Sequence, residues 1–319
     1  MEILQLAGIF AASLTGLLLA AKFFTEAGEK IGVLMKIPPF IIGVTIIALG
    51  TSLPEIATSV ISVMNGHSEF VIGNVVGSNV ANILLVLAIA AIVAKQLKVD
   101  KNIISIDLPI LLGSTILLFI ITLDGEVTYV DGTFSILILL TYLIYNVRSH
   151  RTVNKDELKQ QKQLDKSTTN KSLFKHLAVL TVSGTALYFA ADYTIQSVVE
   201  LSKIFNIGTE IIAVSAIAIG TSLPELVVSI VAARKGQADI AIGNVTGSNI
   251  FNALGVIGIP SLFGTLTIPD IMLTFGIPSL VLITILYIFT TMDKEVSKWE
   301  GITLLLIYAA FMGKTFGFI

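Results

Sequence analysis

The sequence contains no cysteine. Disulfide bonds, thiolate nucleophiles and sulfur-ligated metals are therefore excluded, although this absence does not identify the compartment. Charged residues are also scarce, because Asp, Glu, Lys and Arg make up 13% of the chain, against about 25% in an average soluble domain. The three histidines, His67, His150 and His176, lie in or near predicted loops, which serves zinc or copper poorly. The net charge of −2 favours no nucleic-acid partner.

Apolar residues are abundant. They make up 54% of the chain, and the mean hydropathy is +0.89. Long apolar runs of about 20 residues are typical of helices that cross a bilayer, so the sequence predicts an all-α integral membrane protein with ten transmembrane helices. The predicted spans are 3–24, 38–64, 70–94, 103–123, 127–147, 173–200, 207–233, 239–263, 268–291 and 300–318.

One long hydrophilic segment, 148–175, divides the spans into five and five. It is basic and rich in Gln, Ser and Asn, as expected of a linker. If it is cytoplasmic, all of the 20 Lys and Arg residues except Lys203 and Lys314 fall on the cytoplasmic side. The excess of basic residues in cytoplasmic loops therefore predicts a multi-pass protein of the plasma membrane with a cytoplasmic linker and both termini extracellular.

Two stretches of the sequence occur twice. GTSLPE spans Gly50–Glu55 and recurs at Gly220–Glu225, and IGNVVGSNVAN, which ends at Asn82, recurs as IGNVTGSNIFN, which ends at Asn252. Every pairing falls at one offset, 170 residues. Self-similarity at a fixed offset indicates structural duplication. A duplicated glutamate in an apolar helix is by default a functional hypothesis.

The repeat and the topology together predict two halves of opposite orientation. The copies begin five spans apart, and an odd number of spans reverses the direction in which the second copy crosses the membrane. The first half is residues 1–147, with its motif region at 43–93, and the second is 176–319, with its motif region at 213–263. Transporters built from such inverted repeats bind substrate near the midplane, where discontinuous helices meet.

Each GTSLPE copy contains a proline within a predicted span. Proline cannot donate to the carbonyl four residues earlier, so Pro54 and Pro224 are expected to free the carbonyls of Gly50 and Gly220. Broken helix at membrane depth is tolerated only against protein or a polar cavity. Backbone, hydroxyl and carboxylate oxygens are therefore predicted to crowd one short broken segment in each half.

The second repeated stretch adds further oxygens and small residues. Ser78 and Asn82 are four residues apart and share a helix face, and Ser248 and Asn252 repeat this spacing. Two glycine pairs in the small-xxx-small pattern predict close helix packing: Gly73 with Gly77, and Gly243 with Gly247.

Two buried carboxylates near one axis require neutralisation by cations or protons, because an ionised group there is costly unless matched. An all-oxygen site suits a hard cation. Two carboxylates balance the charge of one Ca²⁺, and the same oxygens could hold Na⁺ ions instead. A site that either ion can fill, but not both together, is the thermodynamic basis of antiport. A channel using the same site and an intramembrane enzyme are the other classes. The first is disfavoured by the paired half-sites, and the second by the absence of a Ser/His or paired-Asp arrangement in any span.

The first GTSLPE is followed by GNVVGSNVAN, and the second by GNVTGSNIFN. In these paired motifs the whole chain resembles the cation/calcium exchanger superfamily, and most closely its prokaryotic sodium/calcium exchanger branch. The resemblance implies a secondary transporter, not an enzyme, with no cofactor, that exchanges several Na⁺, usually three, for one Ca²⁺ and functions as a monomer in the lipid bilayer. It implies alternating access in which spans one and six slide across a rigid core.

The resemblance also implies which residues bind the ions. Glu55 and Glu225 would be the central Ca²⁺ ligands and would also serve Na⁺. The remaining implied ligands are the side chains of Thr51, Ser52, Thr221, Ser222, Ser78, Ser248, Asn82 and Asn252 and the backbone carbonyls of Ala48 and Ala218.

Two positions refine the expected coupling. Some prokaryotic members and the potassium-dependent ones carry Asp at the position of Asn252. Asn there removes one charge and argues against K⁺ co-transport. Proton-coupled calcium exchangers carry a glutamate where this chain has Gly77, which disfavours an H⁺/Ca²⁺ antiporter that uses the same glutamate pair. That antiporter remains the alternative.

Overall fold

The computed structural model describes residues 2–34, 50, 52–99, 103–149, 170–236 and 238–318. Helices dominate both halves. In the first half they are α1 (Glu2–Leu34), α2 (Leu53–Met64), α3 (Glu69–Ala81), α4 (Leu87–Ala94), α5 (Leu108–Ile121) and α6 (Tyr129–Ser149). In the second half they are α7 (Asn170–Phe205), α8 (Thr209–Ile212), α9 (Ala218–Thr221), α10 (Leu223–Arg234), α11 (Ala238–Phe251), α12 (Ile257–Ser261), α13 (Ile277–Met292) and α14 (Lys298–Thr315).

Several helices are joined without a loop by π-helical segments, in which the hydrogen bonds span five residues instead of four. Three segments join two helices: Asn82–Val86, Ala213–Ile217 and Asn252–Val256. Two more, Ile103–Asp107 and Met272–Gly276, lead directly into α5 and α13. They widen the helix locally and often mark functional positions. Two of them begin at Asn82 and Asn252, both of which are predicted site residues.

Four short strands link the halves. They are β1 (Gln96–Lys98), β2 (Glu126–Val127), β3 (Leu266–Thr267) and β4 (Glu295–Ser297). β1 pairs antiparallel with β4, and β2 pairs antiparallel with β3. Each two-stranded sheet therefore contains one strand from each half.

The helices differ sharply in burial. In the helical runs Glu69–Ala94 and Ile240–Ser261, 83% and 78% of the most apolar 18-residue stretch is buried. In Ile3–Gly32 and Leu173–Phe205, only 11% and 6% of the corresponding stretch is buried. The last two runs belong to α1 and α7, which pack along each other. α3 and α11 therefore form the core, and α1 and α7 lie outside it.

The described residues support a multi-pass membrane protein. Six of their helices are long and apolar enough to cross a membrane, or seven if the bent pair Thr209–Thr221 and Leu223–Arg234 is one span. The figure of ten spans stays a prediction. Much of span two lies outside the described residues, and α6 and α14 are not among these six or seven helices. α6 ends at Ser149 and α7 begins at Asn170, so both helices extend into 148–175. The bounds of the linker stay a prediction.

Candidate cation-binding site

The second GTSLPE copy forms the predicted break. α9 ends at Thr221, α10 begins at Leu223, and the helix bends by 42° between them. Ser222 lies in the break with φ −80° and ψ 5°, and Ser52, immediately before α2, has φ −91° and ψ 5°. The two half-sites therefore begin with the same backbone conformation.

The position of the proline differs from the sequence prediction. Pro54 and Pro224 are the second residues of α2 and α10, not interior helix residues, and the preceding leucines are already helical. Proline is favoured in the first helical turn because the N–H groups there have no partner in any case. The break is therefore at Ser52 and Ser222, two residues before each proline.

Glu55 and Glu225 lie in the first turns of α2 and α10. Each is 1% exposed, and the two carboxylates are close enough to interact electrostatically. The partial positive charge of a helix N-terminus stabilises an anion in the first turn, but it does not replace the hydration that burial removes. The geometry therefore brings the two predicted central residues together in one buried place.

An asparagine from the core holds each glutamate helix. The Nδ2 of Asn74 donates to the Glu55 carbonyl at 3.2 Å and to Ser59 Oγ at 3.0 Å. The Nδ2 of Asn244 donates to the Glu225 carbonyl at 3.2 Å. These bonds fix the backbone that carries each carboxylate.

The core helices supply the rest of the predicted side chains. Ser78, Asn82, Ser248 and Asn252 are all buried. Ser248 Oγ donates to Glu225 Oε1 at 3.4 Å, and Asn82 Nδ2 donates to Asn249 Oδ1 at 3.1 Å. These residues contribute only hydroxyl and amide groups.

Many buried oxygens in this cluster lack a hydrogen-bond partner within the part of the chain that the structure describes. They are Ser52 Oγ, both carboxylate oxygens of Glu55, Ser78 Oγ, Asn82 Oδ1, Ser222 Oγ and Asn252 Oδ1. Leaving a buried polar group unsatisfied costs about 1–3 kcal/mol, and more if it is charged. So many in one place indicate a site that a cation completes.

The other predicted ligands have mixed outcomes. Thr221 is buried, and its hydroxyl donates to the Ile217 carbonyl at 3.1 Å. The Ala218 carbonyl accepts from the Ser222 N–H at 3.1 Å, so helix bonding already engages one of its lone pairs. Thr51 and Ala48 lie outside the described residues.

The glycine prediction holds for one pair. A Cβ at Gly77 would lie 2.6 Å from the Cβ of Ala218, and one at Gly73 would lie 3.1 Å from the Cβ of Ala213, so α3 packs directly on the broken helix 209–221. Gly243 and Gly247 approach no described residue within 4 Å. Their prediction stays open, since the repeat offset places their partners in the undescribed region before Gly50.

Sequence reasoning missed four asparagines of the site region: Asn74, Asn79 and Asn249, which are buried, and Asn244, which is partly buried. Each belongs to the duplicated GNVxGSN stretch at the common offset, so the repeat itself carried a signal for them. What it could not give was their partners. Those of Asn74 and Asn244 lie in α2 and α10, and Asn79 and Asn249 meet where α3 and α11 face each other.

The family of the chain follows from a family model. The model of the sodium/calcium exchanger protein family matches residues 5–148 and 175–316. The chain belongs to this family. The unmatched stretch between the two segments coincides with the predicted linker, and the two matched segments contain one copy each of GTSLPE and GNVxGSN.

Individual relatives match most of the chain. The sodium/calcium exchanger MaX1 of Methanosarcina acetivorans is 30% identical over 95% of this chain and 97% of its own length. The inner membrane protein YrbG of Escherichia coli is 30% identical over 85% of this chain and 83% of its own. A structure of the sodium-calcium exchanger NCX_Mj, soaked with 10 mM Na⁺ and 10 mM Sr²⁺, matches with a TM-score of 0.65 at 28% identity over 97% of both chains.

Proposed function

We propose that this protein is a secondary transporter that exchanges Na⁺ for Ca²⁺. The observation that carries the proposal is the cluster of buried, unpartnered oxygens around Glu55, adjoined by Glu225. Ca²⁺ prefers six to eight oxygen ligands that include carboxylates, and the cluster offers no other ligand type. Relatives named as sodium/calcium exchangers support the same choice of ions.

The proposed ligand set keeps every predicted residue. Glu55 and Glu225 bind Ca²⁺ together and share Na⁺ binding. The other proposed ligands are the side chains of Ser52, Ser222, Thr51, Thr221, Ser78, Ser248, Asn82 and Asn252, and the carbonyls of Ala48 and Ala218.

We further propose that ten spans form two inverted five-helix repeats, 1–147 and 176–319. Contacts that recur across the halves support this. Gly132 packs on Gly258, and Gly301 packs on Ala88, the residue that the offset equates with Gly258. The offset equates β1 with β3 and β2 with β4, so the pairing of β1 with β4 is equivalent to the pairing of β3 with β2.

Transport by alternating access requires a moving part, and α1 with α7 fits this role. They pack along each other outside the core, and in α1 Leu14 and Thr25 lie against Gly220 and Gly50 at the two breaks. Sliding of this pair would expose the site to one side at a time. The proposed exchange is electrogenic and independent of K⁺, and it takes place in a monomer of the plasma membrane with both termini outside and the linker inside.

Flux into proteoliposomes tests the function. An outward Na⁺ gradient should drive ⁴⁵Ca²⁺ uptake, while gradients of K⁺ or H⁺ imposed singly should not. Uptake that ignores Na⁺ but follows a pH gradient would contradict the proposal and favour H⁺/Ca²⁺ antiport, in which a proton neutralises the glutamate pair in place of Na⁺. Flux of one ion without any counter-ion would instead indicate a channel.

A further inference from the structure

Two asparagines meet where the halves of the core face each other. Asn79 of α3 and Asn249 of α11 are 170 residues apart, the repeat offset, and the Nδ2 of Asn79 donates to the Asn249 carbonyl at 3.3 Å. Residues that are equivalent in two repeats can touch only near the axis that relates those repeats. Both are buried, with 1% and 0% of their surfaces exposed.

The hydrogen bonds at this axial pair are asymmetric. Asn249 accepts twice, at its carbonyl from Asn79 and at its Oδ1 from the Nδ2 of Asn82 at 3.1 Å. The repeat offset defines a mirrored pair of bonds, in which Asn79 would accept from Asn249 and from Asn252. Neither mirrored bond is present among the described residues, where Asn79 Oδ1, Asn249 Nδ2 and both amide atoms of Asn252 have no partner.

The asymmetric hydrogen bonds affect the two proposed amide ligands, Asn82 and Asn252, differently. Because the nitrogen of Asn82 is held by Asn249, its oxygen is left for the cation cluster, where Oδ1 has no protein partner in the described part of the chain. Asn252 has no such bond to fix its amide. One of the two equivalent site amides is thus oriented and the other is not.

We propose that Asn79 and Asn249 form a two-state amide switch that orients one site amide in each access state. In the described state Asn249 orients Asn82. In the opposite state Asn79 accepts from Asn252 and Asn249, and Asn82 is released. Both donors of the second state, Asn249 Nδ2 and Asn252 Nδ2, and one acceptor, Asn79 Oδ1, are buried and have no partner among the described residues. The other acceptor is the main-chain carbonyl of Asn79. Both asparagines are positioning residues, and the proposal rests on the proposed exchange function.

Side-resolved ion affinity tests the switch. Asn79→Ala and Asn249→Ala are assayed in right-side-out and inside-out vesicles, with Asn79→Leu and Asn249→Leu separating lost bonding from lost volume. One lost hydrogen bond corresponds to a roughly three- to tenfold change in affinity. We expect Asn249→Ala to weaken Ca²⁺ binding mainly from one side and Asn79→Ala mainly from the other, whereas a merely structural role would affect both sides alike. Equal effects on both sides would overturn the switch.

A structure of the unmodified protein in the opposite access state tests the same point without any variant. Asn252 Nδ2 should then lie within hydrogen-bond distance of Asn79 Oδ1, and Asn82 Nδ2 should have left Asn249 Oδ1. Retention of the Asn82–Asn249 bond in both states would overturn the proposal. The Na⁺ dependence of wild-type flux decides the exchange function separately, so the two can fail independently.

Discussion

At the scale of single residues, Glu55 and Glu225 are the only acidic residues that the structure shows as buried. Replacing either with Gln keeps the size of the side chain but removes one of the two charges that balance Ca²⁺. Removing one partner of a buried ionic arrangement costs about 3–5 kcal/mol, which is a more than hundredfold loss of affinity. We expect Glu55→Gln and Glu225→Gln each to reduce Na⁺-driven ⁴⁵Ca²⁺ uptake to background.

Glu200→Gln is the matched control for these substitutions. Glu200 is half-exposed on α7, where it pairs with Lys203 at 2.7 Å, and such surface pairs contribute little. Uptake by this variant should match the wild type. Retained Na⁺-driven uptake in Glu55→Gln or Glu225→Gln would contradict the assignment of that glutamate as a central ligand.

Much of the residue-level site is predictable, because duplication at one offset marks Glu55, Ser78 and Asn82 together with their counterparts. The orientation of the amides is not predictable. A repeat makes Asn79 and Asn249 equivalent, whereas the folded chain has Asn249 alone as the acceptor. Such a choice between two equivalent states arises from tertiary contacts and leaves no trace in a symmetric motif.

At the scale of helices, close packing fixes the distance between α3 and the broken helix 209–221. A methyl group added at Gly77 would lie 2.6 Å from the Cβ of Ala218 and closer still to the Val214 carbonyl. Because that backbone cannot move aside easily, we expect Gly77→Ala to lower the free energy of unfolding by about 1–3 kcal/mol. Thermal unfolding in detergent measures this loss.

Gly113→Ala provides the control for this substitution. Gly113 lies in α5, and no described residue would lie within 4 Å of an added Cβ. Alanine is favoured over glycine in a helix by roughly 0.5–1 kcal/mol, so this variant should be unchanged or slightly more stable. Equal melting temperatures for the two variants would show that the contact of Gly77 does not constrain the packing.

The proposed motion of α1 and α7 makes a second helix-scale prediction. Ser13 and Thr194 join the two helices by a 3.0 Å hydrogen bond, and Asn65 and Asp192 join the core to α7 by one of 2.9 Å. The chain has no native cysteine, so an engineered cysteine pair at either place cross-links cleanly. A Ser13→Cys/Thr194→Cys cross-link should preserve flux, and an Asn65→Cys/Asp192→Cys cross-link should stop it.

Reduction of each disulfide serves as the internal control, since flux should return in the second variant when the bond is broken. Loss of flux on oxidising the Ser13→Cys/Thr194→Cys variant would mean that α1 and α7 move relative to each other. Continued flux in the oxidised Asn65→Cys/Asp192→Cys variant would mean that α7 does not slide on the core.

The positions of the helix breaks are predictable from the sequence only approximately. Proline marks the neighbourhood of each break, but proline is also compatible with a helix start, so Pro54 alone does not locate the break at Ser52. The π-helical segments at Asn82 and Asn252 have no recognised composition, and they follow from the packing of α3 and α11.

At the scale of the whole molecule, charge balance decides whether transport responds to voltage. The two glutamates neutralise one Ca²⁺, but three Na⁺ would leave one positive charge, and Asn252 adds no compensating carboxylate. Exchange in that ratio expels one net charge for each Ca²⁺ that enters a vesicle. An inside-positive potential should therefore increase Ca²⁺ accumulation, by roughly tenfold in the equilibrium ratio for each 59 mV.

Valinomycin with a K⁺ gradient sets this potential, and the same K⁺ gradient without valinomycin controls for a direct effect of K⁺. Because Asn252 leaves no additional carboxylate for K⁺, the control should match vesicles in choline. Accumulation that does not change with potential would imply two Na⁺ for each Ca²⁺, since the two carboxylates would then be balanced in both loaded forms. A K⁺ effect without valinomycin would instead show that the neutral amide at Asn252 does not prevent K⁺ from taking part.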